Sequence, residues 1–324
     1  MPNSDVSSTT PPVVSQTLLK TWQQCPKKAL FMLNGWKPTL PEWKMQWGTL
    51  MHAVMERFYR AIQAGVEFEL LPVITQLERE LWQDPVYGHA SPWELGLNLG
   101  LVELMAEEYI EYYYSEDAKR DWWAIERPFE ATLGPIIQRG KPDIIEHTAD
   151  GYWLWDTKTK GYYSPEQTKT LLPRDLQLMS YKRGIEQTAH IVIVGVVYNI
   201  IRQPQQRKKI AEPIKTFLER VRKDVHMNPA DYFIRLRYKI TPRTGAFVEE
   251  SLLALAAEYD NWWKRGTPAV ENHQSCFMYG DKRCPFLEAC YHGNYATLMH
   301  GELFSELNDA TTPGRKEQAE VKAK

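Results

Sequence analysis

Asp156 and Lys158 stand two residues apart near the end of an alternating stretch, YWLWDTKTK, and Asp143 precedes that stretch behind a Gly-Lys-Pro turn. In an extended strand alternate residues share a face, so Asp156 and Lys158 point the same way, together with Leu154 and Lys160. The Ala-Asp-Gly at 149–151 suits a hairpin turn, and across it Asp143 can lie beside Asp156. Two close carboxylates repel unless a cation neutralises them, and oxygen donors of this kind suit Mg2+ or Mn2+. A lysine beside them adds a point charge that can orient or activate a water, or steady a phosphoryl oxygen. This is the equipment for metal-assisted hydrolysis of a phosphodiester.

The elements that must position these groups follow from periodicity. Ser15 is a candidate N-cap for QTLLKTWQQC, and a helix can resume after Pro26. GTLMHAVMERFYRAI places Leu50, Ala53, Val54, Phe58 and Ile62 at helical spacing, and further helices are expected around 70–82 and 95–114. The pattern then turns β-rich over 122–133, 136–148 and 152–160. A helix over PRDLQLMSYKRGIEQ, a buried strand HIVIVGVVYNI, a short helix near 212–226, a strand YFIRLRYKIT and a last helix VEESLLALAAEYDNWWKRG complete the reading. The expected organisation is a flexible lead-in at 1–13, one domain at 14–307 and a disordered tail at 308–324. Within the domain, 14–120 is helical, 121–200 is the catalytic core and 201–307 carries three cysteines.

Composition narrows the class. With 43% hydrophobic and 25% charged residues in 324, the chain can bury a large core. A net charge of −2 gives no global basic field, so any nucleic-acid surface must be local. The longest apolar run, IVIVGVV, is too short to span a bilayer, and the polar N-terminus lacks a signal-peptide pattern. A cytoplasmic protein is expected, without a membrane partner, and protein partners are left open.

GKPDII followed by LWDTKTK resembles the PD-(D/E)XK nuclease superfamily, with Asp156-Thr157-Lys158 as the D-x-K element and Gly140 to Asp143 as its G-x-x-D. Further residues resemble the RecB-like branch. His52 in GTLMHAVME falls where that branch carries a helical metal-ligand histidine. Gln177 and Tyr181 match its Q-x-x-x-Y motif and, four apart, share a helix face. Glu126 falls on the preceding strand, where many members have a glutamate, with Glu130 four residues on. The resemblance implies an α/β fold, a mixed restriction-endonuclease-like sheet flanked by helices. It also implies that His52, Asp143, Asp156 and the carbonyl of Thr157 hold the catalytic metal, with Lys158 orienting the attacking water.

Each residue has a plainer reading. His52 alone suits a satisfied core histidine, and Asp143 a turn residue. Asp156 with Lys158 suits an exposed pair worth little, and Gln177 with Tyr181 an ordinary helix surface. The ordered series favours the nuclease site over the separate alternatives.

Cys25 lies far upstream of Cys276, Cys284 and Cys290. This distribution resembles iron–sulfur RecB-like nucleases, including AddB-type and CRISPR adaptation nucleases, where four thiolates hold a [4Fe–4S] cluster joining the two chain ends. Structural Zn2+ is the alternative, with His273 or His292 able to replace a cysteine. The loop IIRQPQQRKKI, with Arg202, Arg207, Lys208 and Lys209, suits either a solvated surface or phosphate contacts. Tyr162 and Tyr163 suit either base stacking or packing. The expected activity is a metal-dependent DNA exonuclease acting from single-stranded ends in replication, recombination or repair. A nonenzymatic DNA-end-binding adaptor and an endonuclease are the alternatives.

Overall fold

The computed structural model describes residues 13–39, 43–265, 269–277, 283–296 and 298–300. Apart from Val13, the expected lead-in, and all of the expected tail, lie outside these residues. The chain forms two compact units, one of residues 1–40 with 255–324 and one of 41–254.

The first unit begins with a short strand β1 (Val13–Ser15), helices α1 (Gln16–Gln24) and α2 (Pro26–Leu33), and strand β2 (Trp36–Pro38). Ser15 caps α1 as its sequence position suggests, accepting from the Leu18 amide at 3.1 Å. Pro26 opens α2, where its missing N–H costs nothing. Cys25 is the joint between the two helices.

The second unit starts with three long helices, α3 (Trp43–Ala64), α4 (Leu70–Gln83) and α5 (Pro92–Asp117). Trp47, Met51, Val54 and Phe58 form the buried stripe of α3, against Leu99, Val102 and Tyr109 among others on α5. Strands β3 (Asp121–Ile125), β4 (Phe129–Leu133), β5 (Ile136–Gly140), β6 (Ile144–Thr148) and β7 (Gly151–Lys160) follow. Then come α6 (Pro165–Leu171), α7 (Leu176–Ala189), β8 (Ile193–Arg202), α8 (Ile214–Met227), α9 (Pro229–Tyr232), β9 (Phe233–Lys239) and α10 (Pro242–Arg265). The central sheet has the order β3-β6-β7-β8-β9, antiparallel except for the β7–β8 pair. That parallel pair needs a long connection, which α6 and α7 provide. The fold is therefore α/β with a mixed sheet, as expected. No helix among the described residues is long and apolar enough to cross a membrane.

The β-rich run at 122–133 is not one strand. It breaks after β3 at Glu126, and the run at 136–148 breaks after β5 at Lys141. Pro128 and Pro142 lie in the two breaks, where a missing amide cannot extend a ladder. The chain therefore leaves the central sheet, builds the β4–β5 hairpin, and returns. Glu126 donates its amide to the Asp143 carbonyl at 2.8 Å, so both breaks lie side by side.

Two close approaches fix the helices. A Cβ on Gly48 would lie 2.7 Å from Thr159 Oγ1, so the absent side chain lets α3 sit against β7. His52, one turn on, shares that face. A Cβ on Gly184 would fall within the Phe129 ring of β4, which sets the seat of α7.

Beneath β7 lies a buried polar network. Arg235 on β9 gives Nη1 to Asp117 Oδ1 at 2.7 Å and Nη2 to Asp117 Oδ2 at 2.6 Å. Its Nη2 also reaches Tyr59 and Tyr109, and its guanidinium carbon stands 3.4 Å from the Tyr113 ring centroid. Tyr109 donates to Asn199 Oδ1 at 3.0 Å, and Asn199 Nδ2 donates to Thr157 Oγ1 at 3.3 Å.

In the first unit, α11 (Leu287–His292) and β10 (Leu298–His300) close the described chain, β10 pairing antiparallel with β2. Phe31, Phe286, Ala289 and Leu298 form the local core there.

Candidate active site

Strand β7 is central in its sheet, and Asp156 and Thr157 on it are 3% and 2% exposed. The expected pairing across the hairpin holds: Ile144 is opposite Trp155, so Asp143, one residue before β6, comes level with Asp156. Asp143 Oδ2 accepts the Thr157 amide at 2.6 Å and lies 3.4 Å from His52 Nδ1. Asp156 Oδ2 lies 2.7 Å from Lys158 Nζ, an ion pair without the alignment of a hydrogen bond, and that buried oxygen has no other partner. Lys158 Nζ donates to Gln177 Oε1 at 3.0 Å, and Gln177 Nε2 to the Tyr181 hydroxyl at 3.2 Å. The Gln-x-x-x-Tyr pair thus faces the D-x-K strand from α7.

Glu126 differs from its expected setting. It lies just past the end of β3 rather than within a strand, with φ of 49°, a conformation uncommon for a residue with a side chain. Its carboxylate pairs with Lys141 Nζ at 2.5 Å, while Glu130 pairs with Arg139 on the separate hairpin. The break at Pro128 therefore puts Glu126 beside Asp143 and takes Glu130 away.

Each carboxylate has a basic partner of its own: Asp143 has the His52 imidazole, Asp156 has Lys158, and Glu126 has Lys141. The pairing does not relieve the crowding. Burial, reinforced by the Asp143 charge, pushes Asp156 up to about 6 against the pull of Lys158. Burial and Asp143 likewise push Glu126 up to about 7, against Lys141. Burial would raise Asp143 too, but the hydrogen bond and charge of His52, the Thr157 amide and Lys158 hold it low. Burial would lower His52, yet Asp143, Asp156 and Glu126 together raise it. Lys158 is raised: burial opposes its charge, but Asp156, Asp175 and Asp143 outweigh burial.

An oversupply of hard anionic oxygen with one imidazole suits Mg2+ or Mn2+. The buried Asp156 Oδ2, lacking an aligned donor, is an open acceptor for such an ion. His52, Asp143 and Asp156 are not drawn in to within 4.8 Å of one another as a closed ligand set. Glu108, Glu111 and His226 are that close, but Arg222 and His226 already pair with Glu108 on the α5–α8 surface.

Asp175 and Tyr198 were not picked out by sequence. Asp175 caps α7, accepting from Gln177 N at 2.8 Å and Leu178 N at 3.1 Å, and its other oxygen takes the Tyr198 hydroxyl. Tyr198 is opposite Asp156 in the parallel register, and both Lys158 and Lys160 stand over its ring. An aspartate directly before LQLMSY was a capping signal; a phenol in an apolar strand was the other.

All four cysteines fall in the first unit. Cys284 N donates to Cys276 O at 2.8 Å. Burial raises the thiols of Cys276 and Cys284, and burial with Glu271 pushes Cys290 up to about 12; the Cys25 thiol adds to all three. The sulfurs share a neighbourhood, yet no three lie within 4.8 Å of one another. A tetrahedral zinc needs sulfurs about 3.8 Å apart, from a metal–sulfur bond of about 2.3 Å.

The family model of the PD-(D/E)XK nuclease superfamily matches residues 13–291. No curated protein matches the chain. Solved structures similar to it include a phage-related exonuclease from Haemophilus somnus 129PT, 11% identical over 60% of this chain and 84% of that chain, with a TM-score of 0.33. Another is SSO0001, 13% identical over 69% of this chain and 80% of that chain, with a TM-score of 0.23.

Proposed function

Because the chain belongs to the PD-(D/E)XK nuclease superfamily, we propose that it is a divalent-metal-dependent deoxyribonuclease that hydrolyses DNA from single-stranded ends in phage or bacterial replication, recombination or repair. The observation that carries this reading is the buried crowding of Asp143, Asp156 and Glu126 beside Lys158. A binding module has no use for carboxylates held at such cost.

His52, Asp143, Asp156 and the Thr157 carbonyl hold the catalytic ion. A bound Mg2+ or Mn2+ supplies Lewis acidity, acidifying water and neutralising phosphoryl charge. Lys158, kept protonated by its neighbours, orients the water and steadies charge building on the phosphoryl oxygens. Gln177 holds the Lys158 ammonium at a fixed height, and Tyr181 fixes the Gln177 amide. Glu126, next to Asp143 and raised toward neutrality, serves as an auxiliary carboxylate for proton transfer or a second ion.

The test is incubation of purified protein with end-labelled linear and with circular single-stranded DNA, in Mg2+, Mn2+ or EDTA. Loss of the linear form alone, dependent on metal, is expected. Cleaved circles select an endonuclease, and binding without turnover in either metal selects an end-binding adaptor.

In the first unit, Cys25, Cys276, Cys284 and Cys290 would hold a [4Fe–4S] cluster of structural role, a reading supported by the Cys25 thiol acting on each of the other three. Protein purified without oxygen is expected to be brown, with roughly four irons per chain. A colourless protein with one tightly bound zinc selects the zinc alternative.

A further inference from the structure

Strand β7 does not end its useful chemistry at Lys158. Lys160 follows on the same face, over the same Tyr198 ring. No carboxylate lies within ion-pair distance of Lys160 among the described residues. The next residues carry the line outward. Tyr162 is 80% exposed, an uncommon cost for a ring that size. Lys160 O accepts the Gln203 amide at 2.8 Å, and Gln205 Nε2 stands over Gly161, so the loop after β8 begins beside the end of β7.

That loop is held in shape largely from α8, where Asp224 accepts from Gln206 and Arg220 makes most of the contacts. Arg220 of α8 binds Glu212 with Nε at 3.0 Å and Nη2 at 2.9 Å, and also reaches Gln206 and the Arg207 carbonyl. Glu212 is the sole acidic residue in the stretch QPQQRKKIAEP, and Arg220 occupies both of its oxygens. Arg207, Lys208 and Lys209 are thereby left without an ion-pairing carboxylate among the described residues. Lys208 leans back over the Trp93 ring at 5.6 Å, and Trp93 is still 51% exposed. On a chain of net charge −2, this is a local concentration of cations and bare aromatic faces on a loop that begins beside the end of β7, the strand that carries Asp156 and Lys158.

We propose that this edge is the path of the single strand beyond the scissile bond, with Lys160, Arg207, Lys208 and Lys209 on phosphates and Tyr162 and Trp93 under unstacked bases. The assignment rests on the nuclease reading of the adjoining site. Exposed rings decide between single and double strands: every base offers a face for stacking once it is unpaired, whereas a duplex keeps those faces covered. The cations decide between nucleic acid and an apolar partner, since a strand brings one phosphate per nucleotide.

The test measures binding and chemistry separately. Binding of a labelled oligothymidylate of about 16 nucleotides is titrated in EDTA across salt concentrations, for the full chain and two exposed-surface variants. Joint replacement of Arg207, Lys208 and Lys209 by alanine should shallow the slope of log affinity against log salt by about 2, at roughly 0.7 per lost contact. Tyr162→Ala should weaken binding about tenfold with the slope unchanged, and Tyr162→Phe should restore it. Hydrolysis of thymidine 5′-(p-nitrophenyl phosphate) with Mn2+, too short to reach the loop, should be the same for wild type and variants. Unchanged slope and affinity in both variants overturns the path. So does an equal loss of duplex binding in the triple variant with no effect of Tyr162→Ala. A wild type that binds the strand with the expected slopes but cleaves neither substrate overturns the nuclease reading and leaves the path standing.

Discussion

Two clusters of buried charge lie on either side of β7, and they are built to opposite rules. Below the strand, Arg235 and Asp117 meet as a bidentate pair; Arg235 Nη2 also donates to the hydroxyls of Tyr59 and Tyr109, Tyr59 donates in turn to Asp117 Oδ2, and Tyr113 lies against the guanidinium. Burial pushes both phenols up, so they stay neutral donors, and only the Arg235 Nε lacks a partner. Above the strand, three carboxylates share the space with two ammoniums and an imidazole, and two of them are pushed toward neutrality. The first cluster is satisfied and holds the fold; the second is crowded and held by the fold. Asn199 joins them, through Tyr109 on one side and Thr157 on the other. Unequal satisfaction, rather than burial or charge alone, separates a scaffold from a reactive site.

The sharpest way to break this comparison is to remove one carboxylate from each cluster. Asp156→Ala should lower cleavage at least about a thousandfold while the melting temperature holds or rises, since a costly buried charge is gone. Asp117→Ala leaves the Arg235 guanidinium uncompensated and should cost about 3–5 kcal/mol of stability, or about 10 °C in melting temperature. An unfolded Asp156→Ala protein beside a stable Asp117→Ala protein would reverse the assignment.

Added cation sharpens it further. Mn2+ at about 100 times its dissociation constant should stabilise the wild type by about 2.7 kcal/mol. It should do nothing for Asp143→Ala, and it should stabilise Tyr109→Phe as much as wild type. Thermal melts with and without Mn2+ read this directly; stabilisation of Asp143→Ala equal to wild type would return that carboxylate to the turn.

Acidity gives a smaller effect of defined sign. The Asp156 carboxyl is raised from 3.8 to about 6, so the folded chain keeps a proton that the unfolded chain has released. Stability in EDTA should therefore fall as pH climbs from about 4 through about 6, and Asp156→Asn should flatten that fall. A slope unaltered by the substitution would place the strain elsewhere. The smallest effect belongs to the residue between the clusters. Asn199→Ala leaves Tyr109 and Thr157 without their shared partner, which should cost about 1–3 kcal/mol and less than about tenfold in cleavage rate.

The crowded cluster was the legible one. Asp156 and Lys158 follow from a period of two, Gln177 and Tyr181 from a period near four, and the Asp143 placement from a hairpin turn. Local spacing fixes all of these. The satisfied cluster was invisible because Arg235 and Asp117 are 118 residues apart, and no short-range pattern marks such a pair. The Glu126 setting departs from the expectation because Pro128 breaks the β-rich run at 122–133, a break that the alternation of the run does not display. Helix α10 begins at Pro242, six residues before the expected Val248, since Arg243, Thr244 and Gly245 carry no apolar period. Asp175 had a legible cap position, but its link to Tyr198 depends on the parallel β7–β8 register, which a sequence does not display.

Gly48 gives the arrangement a tolerance of one carbon atom. The helix bearing His52 is gauged against β7 by a side chain that is not there, with Thr159 Oγ1 already where the next atom would go. Every single-base change in a glycine codon that alters the residue adds at least that atom. Mutational drift at this one codon would therefore lift the imidazole away from the carboxylates without touching any of them, and it would be felt as lost chemistry before it was felt as a lost fold.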